Sequence, residues 1–516
     1  MSDAGLLAVR SRWRRSRAET PLLRVGLLAS YTVDPLVPYL GVGLLDAGLP
    51  AQVTVGPYNQ IVQQCADPDS AFARERPDVV VVAPRFEELS TVDALADLAE
   101  LADTAVAAAR RWASALLFVL PAVPEHRPHG AGDAGLLDGV VARAVAAREA
   151  LRGRLTATLG VDIADAEEAV RGVGTARAHR PALYRLAKVP YSEELFARLA
   201  VQVVRLVRMR YGRTWAAVVV DADSVPSSDV DGAGARVAFD ALAEPFGELR
   251  RCGVRLALRT GAGAAAFWGP FAATFPRMVS MMDGAADGGG PVRDQLATIA
   301  HDLGVPAERT VLLTADPGTA AEAGGVLLGA DPDAWPAELE LAGVLDRAPV
   351  RPADTPEPVA VVATRAAPMS VRDYIAGLDV RVEYRAAAPD DVAELVARAK
   401  DFTLGIASTA ADPLIAVHVR DRYADYGLGG AVRLVTDGPT GTVDLFALSC
   451  PVLGKGVEEH VLQELVDRAA ANGCDALVLR HRDTGENRTA TAFLATAAAR
   501  EWRASTGGTV ALRVLS

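Results

Sequence analysis

A strand-like run at residues 443–449 (VDLFALS) passes directly into Cys450-Pro451-Val452-Leu453-Gly454-Lys455-Gly456-Val457-Glu458, and helix-like sequence follows. A Gly-x-Gly loop at a helix N-terminus presents unpaired backbone N–H groups and the positive end of the helix dipole. Gly454 and Gly456 let the backbone approach a ligand closely. Leu453, Gly454, Lys455, Gly456 and Val457 therefore form a candidate cradle for an anion, such as the phosphate of a coenzyme A or pantetheine arm. Cys450 stands at the entrance. A thiol beside a helix N-terminus ionises more easily and is then a good nucleophile for thioester exchange. The same position also suits a structural cysteine that ends an apolar strand. His460, on the following helix, could serve as a base or be an ordinary solvated residue.

These residues need a scaffold, and the pattern around them supplies one. Up to about residue 212, short Val- and Leu-rich runs (23–29, 78–83 and 115–120) alternate with Ala-rich amphipathic stretches (90–113 and 136–155). That alternation predicts buried parallel strands in a doubly wound sheet. A second α/β unit opens with a buried strand at 216–220 running into Asp221-Ala222-Asp223. Helix 235–252, strand 254–258, a flexible loop at 283–291 (DGAADGGGP), helix 293–303 and strand 310–313 are expected after it. Residues 347–368 contain five prolines and read as a linker. The third unit, from 369, shows helix 370–378, strand 380–384, helix 390–399, strands 414–421, 431–436 and 442–450, helix 457–472 and strand 476–480.

The whole chain has 516 residues, half of them hydrophobic and 23% charged, enough for several cores. A formal net charge of −12 argues against general nucleic-acid binding. Lysine occurs only at Lys188, Lys400 and Lys455, so a mechanism that needs one has three places to look. Cys65, Cys252, Cys450 and Cys474 are widely spaced, as in a reduced cytoplasmic protein. The basic stretch through Arg10, Arg12, Arg14, Arg15 and Arg17 reads as a disordered tail over 1–20. No apolar run is long enough to span a bilayer.

The loop resembles the (R/Q)-x-x-G-x-(G/A) motif of the acetyltransferase superfamily, with Pro451 in place of the first basic residue. More of the chain resembles the FkbH-like proteins of polyketide biosynthesis. The resemblance rests on 32–40 (TVDPLVPYL), 57–64 (PYNQIVQQ), 76–83 (RPDVVVVA), 184–193 (YRLAKVPYSE), 402–404 (FTL), 419–430 (VRDRYADYGLGG) and 443–458. It implies a multidomain α/β protein: an N-terminal SGNH-hydrolase-like or flavodoxin-like domain (21–212), a HAD-like Rossmannoid domain (213–346) and a C-terminal GNAT-like α+β domain (369–516). It further implies transfer of a glyceryl unit from 1,3-bisphosphoglycerate onto the phosphopantetheine arm of an acyl carrier protein, with Cys450 as the tethering thiol. Asp421, Asp425, Tyr426 and Asn487 are the expected substrate-binding residues of that domain, although Asp421 and Asp425 could equally cap turns or form salt bridges.

A haloacid-dehalogenase-type phosphatase needs an Asp nucleophile, an acid two residues on, a Ser/Thr and a Lys/Arg for the phosphoryl group, and acidic ligands for Mg²⁺. Asp221 and Asp223 keep the catalytic and metal-ligating pair, and Thr260 follows its strand at the phosphate-binding position. The family's DNTLWGG is replaced by Asp223-Ser224-Val225-Pro226-Ser227-Ser228. The family Lys aligns with Val292, leaving Arg293 as the near substitute. Its Asp-Asp-Asn-Pro aligns with Thr314-Ala315-Asp316-Pro317, leaving a displaced Asp316. One lost electrostatic donor typically costs on the order of 100- to 1,000-fold, so the resemblance implies a phosphatase site that has lost its activity and doubtful Mg²⁺ binding. The N-terminal region lacks Gly-Asp-Ser and Asp-x-x-His, and His126, His129 and His179 read as surface residues. The expectation is a cytoplasmic acyltransferase. The alternatives are a non-catalytic scaffold that binds carrier proteins and a still-active phosphatase.

Overall fold

The computed structural model describes residues 3–16, 21–89, 94–224, 233–261, 276–287, 290–347, 375–405, 414–422 and 424–515. The expected linker beyond Arg347 and most of the expected helix at 370–378 lie outside them. Backbone contacts divide the chain into two compact units, one built from 1–202 together with 358–516, the other from 203–357.

The first unit holds two sheets. Strands β1 (Leu23–Ala29), β2 (Ala51–Val55), β3 (Val79–Ala83), β4 (Ala115–Leu120) and β5 (Val161–Asp165) form a parallel sheet in the order β2-β1-β3-β4-β5. Every residue of β3, VVVVA, is buried, as a parallel strand covered on both faces requires. Helix Ala94–Trp112 lays Leu98, Leu101, Ala105 and Trp112 on one face of the sheet around Phe118 and Leu120. The basic N-terminal stretch departs from expectation. It forms helix Asp3–Ser16, with Trp13 buried, Arg10 paired to Glu193 and Arg12 to Asp46. An indole that can be buried, plus acidic partners, outweighs the repulsion among the arginines.

The second sheet of this unit has strands in the order β11-β13-β14-β15-β16-β18-β17. They are β11 (Arg381–Ala387), β13 (Leu414–Arg420), β14 (Asp425–Asp437), β15 (Thr440–Leu448), β16 (Ala476–Arg480), β17 (Trp502–Arg503) and β18 (Thr509–Leu515). β11 to β15 pair antiparallel, whereas β15, β16 and β18 run parallel. β15 pairs with β16 only from Thr440 to Val443. Short strand β12 (Phe402–Thr403) joins its far end at Leu448 and Ala447. Helix Val457–Ala471 presses Val457, Val461, Leu462, Leu465 and Val466 into the core.

The second unit is a parallel sheet in the order β10-β9-β6-β7-β8. Its strands are β6 (Ala217–Asp221), β7 (Arg255–Thr260), β8 (Gly284–Asp287), β9 (Thr310–Thr314) and β10 (Val326–Leu327). β8 corrects the expected flexible loop. Gly284 to Asp287 pair with Ala257 to Thr260, because an edge strand can form from Gly and Ala once a neighbour supplies the hydrogen bonds. Among the described residues no helix is long and apolar enough to cross a membrane.

The junction of β14 and β15 leaves no room at Gly430, where a Cβ would lie 2.5 Å from Leu448 Cδ2 and 2.9 Å from the Ala447 carbonyl oxygen. On helix Val140–Thr156, a Cβ at Gly153 would meet nothing within 4 Å. Gly430→Ala should lower stability by about 1–3 kcal/mol through overpacking, while Gly153→Ala should raise it by about 0.4–1 kcal/mol. Urea midpoints of the two variants check both signs.

Candidate functional sites

Beyond β15 the chain turns at once. Ser449 N donates to Gly429 O at 2.9 Å, and Cys450–Val452 make a single 3₁₀ turn. Gly454 (φ +72°) and Gly456 (φ +80°) are left-handed, and Gly456 caps the helix. A Cβ on Gly454 would come within 2.5 Å of Gln60 Nε2, and Gln63 Nε2 donates to Gly454 O at 3.1 Å. The close backbone approach foreseen for a ligand is made instead by two glutamines of the β2–β3 connection.

The anion cradle is already occupied by the chain. Gly454 N donates to Glu458 Oε1 at 2.7 Å. Glu458 is buried, burial pushes its carboxyl up to about 7, and Oε2 has no partner. Leu453 and Val457 are packed in the core. Lys455 is only 4% exposed: its Nζ lies 2.7 Å from Asp421 Oδ2, hydrogen-bonds Tyr426 Oη and sits 4.3 Å over the Tyr426 ring. Tyr426 Oη also donates to Asp421 Oδ2 at 3.0 Å. Burial pushes the Lys455 ammonium down, and Asp421 opposes that shift. Asp421, Tyr426 and Lys455 thus form one cluster around a buried ammonium.

Other expected residues stand apart from it. Asp425 is exposed and accepts from Gly427 N at 2.9 Å, a turn-capping role. Asn487 is fully buried as a staple: Nδ2 donates to Thr403 O (3.0 Å) and Arg482 O (2.9 Å), and Oδ1 accepts from the Thr484 N–H and hydroxyl. His460 is exposed with Nδ1 2.8 Å from Gly456 O, and no hydrogen bond joins it to Cys450 among the described residues. Cys450 is an exposed free thiol. Its pKa moves opposite to expectation. Crowding by neighbouring protein atoms and the Asp401 carboxylate raise it, and the turn's own N–H and Arg398 only partly compensate.

Several residues that the local pattern did not single out complete this region. Tyr58 is held well above the usual phenol range by burial and by the charges of Glu88, Tyr184, Tyr426 and Cys450. Tyr184 Oη donates to Glu88, and the Arg85 guanidinium lies 4.5 Å over the Tyr184 ring. Ser30, directly after β1, accepts from Arg85 N at 2.9 Å. A cavity of about 40 Å³, lined in part by Ser30, Asn59, Glu88, Asp97, Glu100 and Lys455, opens here. It holds roughly one or two waters. It lies at the carboxyl ends of β1 and β3, where strand order reverses, the general ligand position of such sheets.

The second unit has its own charged centre at the ends of β6 and β7. Asp221 is 2% exposed and accepts from Thr314 Oγ1 at 2.8 Å. Asp223 Oδ1 accepts from Thr260 Oγ1 at 2.6 Å, and Oδ2 accepts from Gly261 N. Between the two carboxylates lies Arg259, which the sequence reading passed over. Nη1 is 3.0 Å from Asp221 Oδ1, Nη2 is 3.7 Å from Asp223 Oδ2, and Nε donates to Gln295 Oε1 at 3.0 Å. The contact at Asp221 Oδ1 is ionic without hydrogen-bond alignment. Burial raises the Asp221 pKa despite Thr314 and Arg259. Arg293 and Asp316 are not brought to this centre. Arg293 Nε bonds Glu322 O at 2.5 Å, and exposed Asp316 caps helix Pro317–Ala323 through Thr319 N at 2.6 Å.

These residues do not fit Mg²⁺. The carboxylate oxygens face protein donors or a guanidinium, and Thr314 and Ala315 supply no carboxylate. Among the described residues no group of three or more His, Cys, Asp and Glu could hold a metal.

If Glu458 is protonated in the folded state over a range where the unfolded chain has lost that proton, stability falls as pH rises from about 4.3 through about 7. Glu458→Gln keeps the acceptor for Gly454 N and abolishes this loss. The variant should gain stability relative to the parent between pH 5 and pH 8, and urea midpoints at both pH values check it.

No family model matches the sequence, and no curated protein matches it. Among solved structures, the N-terminal part of the protein BF1531 from Bacteroides fragilis, which contains a phosphatase domain complexed with Mg, is similar with a TM-score of 0.54 and 16% identity. The match covers 66% of this chain and 98% of that one. An uncharacterised protein from Corynebacterium glutamicum matches 26% of this chain at 17% identity, with a TM-score of 0.20 that carries no argument. At 16% identity the first likeness speaks for the fold alone: this chain has a mixed α/β architecture with parallel, Rossmann-like sheets, similar to a structure that contains a phosphatase domain.

Proposed function

We propose that this chain is an FkbH-like acyltransferase that passes a small acyl group, a glyceryl unit or one of similar size, through a thioester on Cys450 to an acyl carrier protein. The observation that carries the reading is the meeting, within one unit, of several stretches that bear the resemblance. Tyr58, Gln60 and Gln63 come from PYNQIVQQ, Tyr184 from YRLAKVPYSE, and Asp421 and Tyr426 from VRDRYADYGLGG. All of them gather around the loop that starts at the exposed Cys450 thiol. Polar groups gathered from distant segments are costly when incompletely satisfied, so their convergence here supports a site rather than packing alone.

With an acyl phosphate donor, the Cys450 thiolate attacks the carbonyl carbon. A C–S bond forms, the C–O bond to phosphate breaks, and inorganic phosphate leaves. The thiolate of the carrier's pantetheine arm then attacks the thioester, a new C–S bond forms as the bond to Cys450 breaks, and Cys450 is returned as thiolate. Because the Cys450 thiol is raised, loading quickens as pH rises above neutral. The central unit, with Arg259 between its two aspartates, is read here as inactive towards phosphate esters. A distal phosphate on the donor then stays on the adduct.

A second reading, a non-catalytic protein that binds carrier proteins, is favoured by the capping of Gly454 N by Glu458 and the neutralisation of Lys455 by Asp421. Both groups were candidates to hold a phosphate. A third, an active phosphatase, rests on the fold likeness to a phosphatase-containing structure.

Intact-mass analysis with 1,3-bisphosphoglycerate and a carrier protein separates the three. The first reading predicts a phosphoglyceryl adduct that moves to the carrier and disappears in Cys450→Ala. Carrier binding without any adduct supports the second. Mg²⁺-dependent phosphate release lost in Asp221→Asn, without an adduct, restores the third, whereas a dephosphorylated glyceryl adduct lost in Cys450→Ala keeps the transfer of the first and overturns only the inactivity of the central unit.

A further inference from the structure

The two aspartates after β6 pose an electrostatic problem. Asp221 is 2% exposed, and an ionised carboxylate at that depth needs a cation or a full set of donors. Where a phosphatase fold uses a divalent cation, this chain offers a guanidinium. Arg259 is itself 6% exposed and is anchored from behind by Gln295, so it cannot easily swing out to solvent. Its two terminal nitrogens face one oxygen of each aspartate, at 3.0 and 3.7 Å. The remaining oxygens accept from the Thr314 and Thr260 hydroxyls, and Asp223 Oδ2 also accepts from Gly261 N. A divalent ion would have to share Asp221 Oδ1 with a positive group in contact with it, which repulsion forbids.

We propose that the guanidinium of Arg259 is a built-in replacement for the divalent cation between Asp221 and Asp223, and that shortening Arg259 opens a divalent-cation site there. The truncated side chain leaves Asp221 Oδ1 and Asp223 Oδ2 turned into the vacated space. Asp221 Oδ1 already lacks a hydrogen bond. Two carboxylate oxygens with room for water suit Mg²⁺ or Mn²⁺, which keep several waters when bound. The inference concerns only the central unit and stands whether or not Cys450 carries an acyl group.

The test compares thermal melting of the full chain and of Arg259→Ala, in EDTA and in millimolar Mg²⁺, with Mn²⁺ binding followed by electron paramagnetic resonance. The parent should melt at the same temperature in both conditions and leave Mn²⁺ free. Arg259→Ala should melt several degrees lower in EDTA, regain at least half of that loss in Mg²⁺ and bind Mn²⁺. Asp221→Asn combined with Arg259→Ala should melt above Arg259→Ala in EDTA and respond to neither ion. The milder Arg259→Gln serves if the alanine variant does not fold. Mn²⁺ binding by the parent that Asp221→Asn abolishes would overturn the proposal, as would truncated variants indifferent to both ions.

Discussion

A lysine ammonium that is 4% exposed must be matched by an anion, and Asp421 supplies it at 2.7 Å with the Tyr426 ring and hydroxyl alongside. Breaking a buried pair by removing one partner costs about 3–5 kcal/mol, so Lys455 fixes where its loop can go. With Lys455 held down, Gly454 turns its carbonyl to Gln63 and its Cα face to Gln60. The same lysine borders the cavity at the ends of β1 and β3. The far ends of the sequence thereby share one polar centre, and Cys450 is delivered to its edge.

The central unit meets a similar constraint with a different residue. There the buried acid is Asp221 and the internal cation is Arg259, fixed by Gln295. In both places a position that could receive a ligand's charge is satisfied by the chain's own side chains. The two differ in what remains outside. Near the Lys455 cluster the Cys450 thiol is free and exposed, whereas the Asp221 centre presents aspartates already engaged by Arg259, Thr260 and Thr314.

The elements that positioned both centres were largely legible. Runs such as DVVVVA at 78–83 and AAVVV at 216–220 can be little else than buried parallel strands, and β3 and β6 match them to within one residue. Three of the missed elements, β2, β5 and β8, are short and less apolar, and form because a neighbouring strand is present. At the sites, Asp223 and Thr260 are in contact, and Asp221 is linked to them through Arg259. Arg259 was visible as a charge inside the apolar strand LALRT, a signal that a buried counter-ion was needed. The partnership of Gln63 with Gly454 has no local signature, since the two lie 391 residues apart. The direction of the Cys450 shift comes first from crowding by surrounding protein atoms and then from Asp401, of another segment.

Lys455, by pairing with Asp421, fixes the loop after β15 so that Gly454 packs on Gln60 and Gln63 of the β2–β3 connection. Hydrogen exchange of Lys455→Met beside the parent tests this directly. Peptides covering 57–64 and 450–458 should lose protection together in the variant. Faster exchange confined to 450–458, with 57–64 unchanged, would contradict the account.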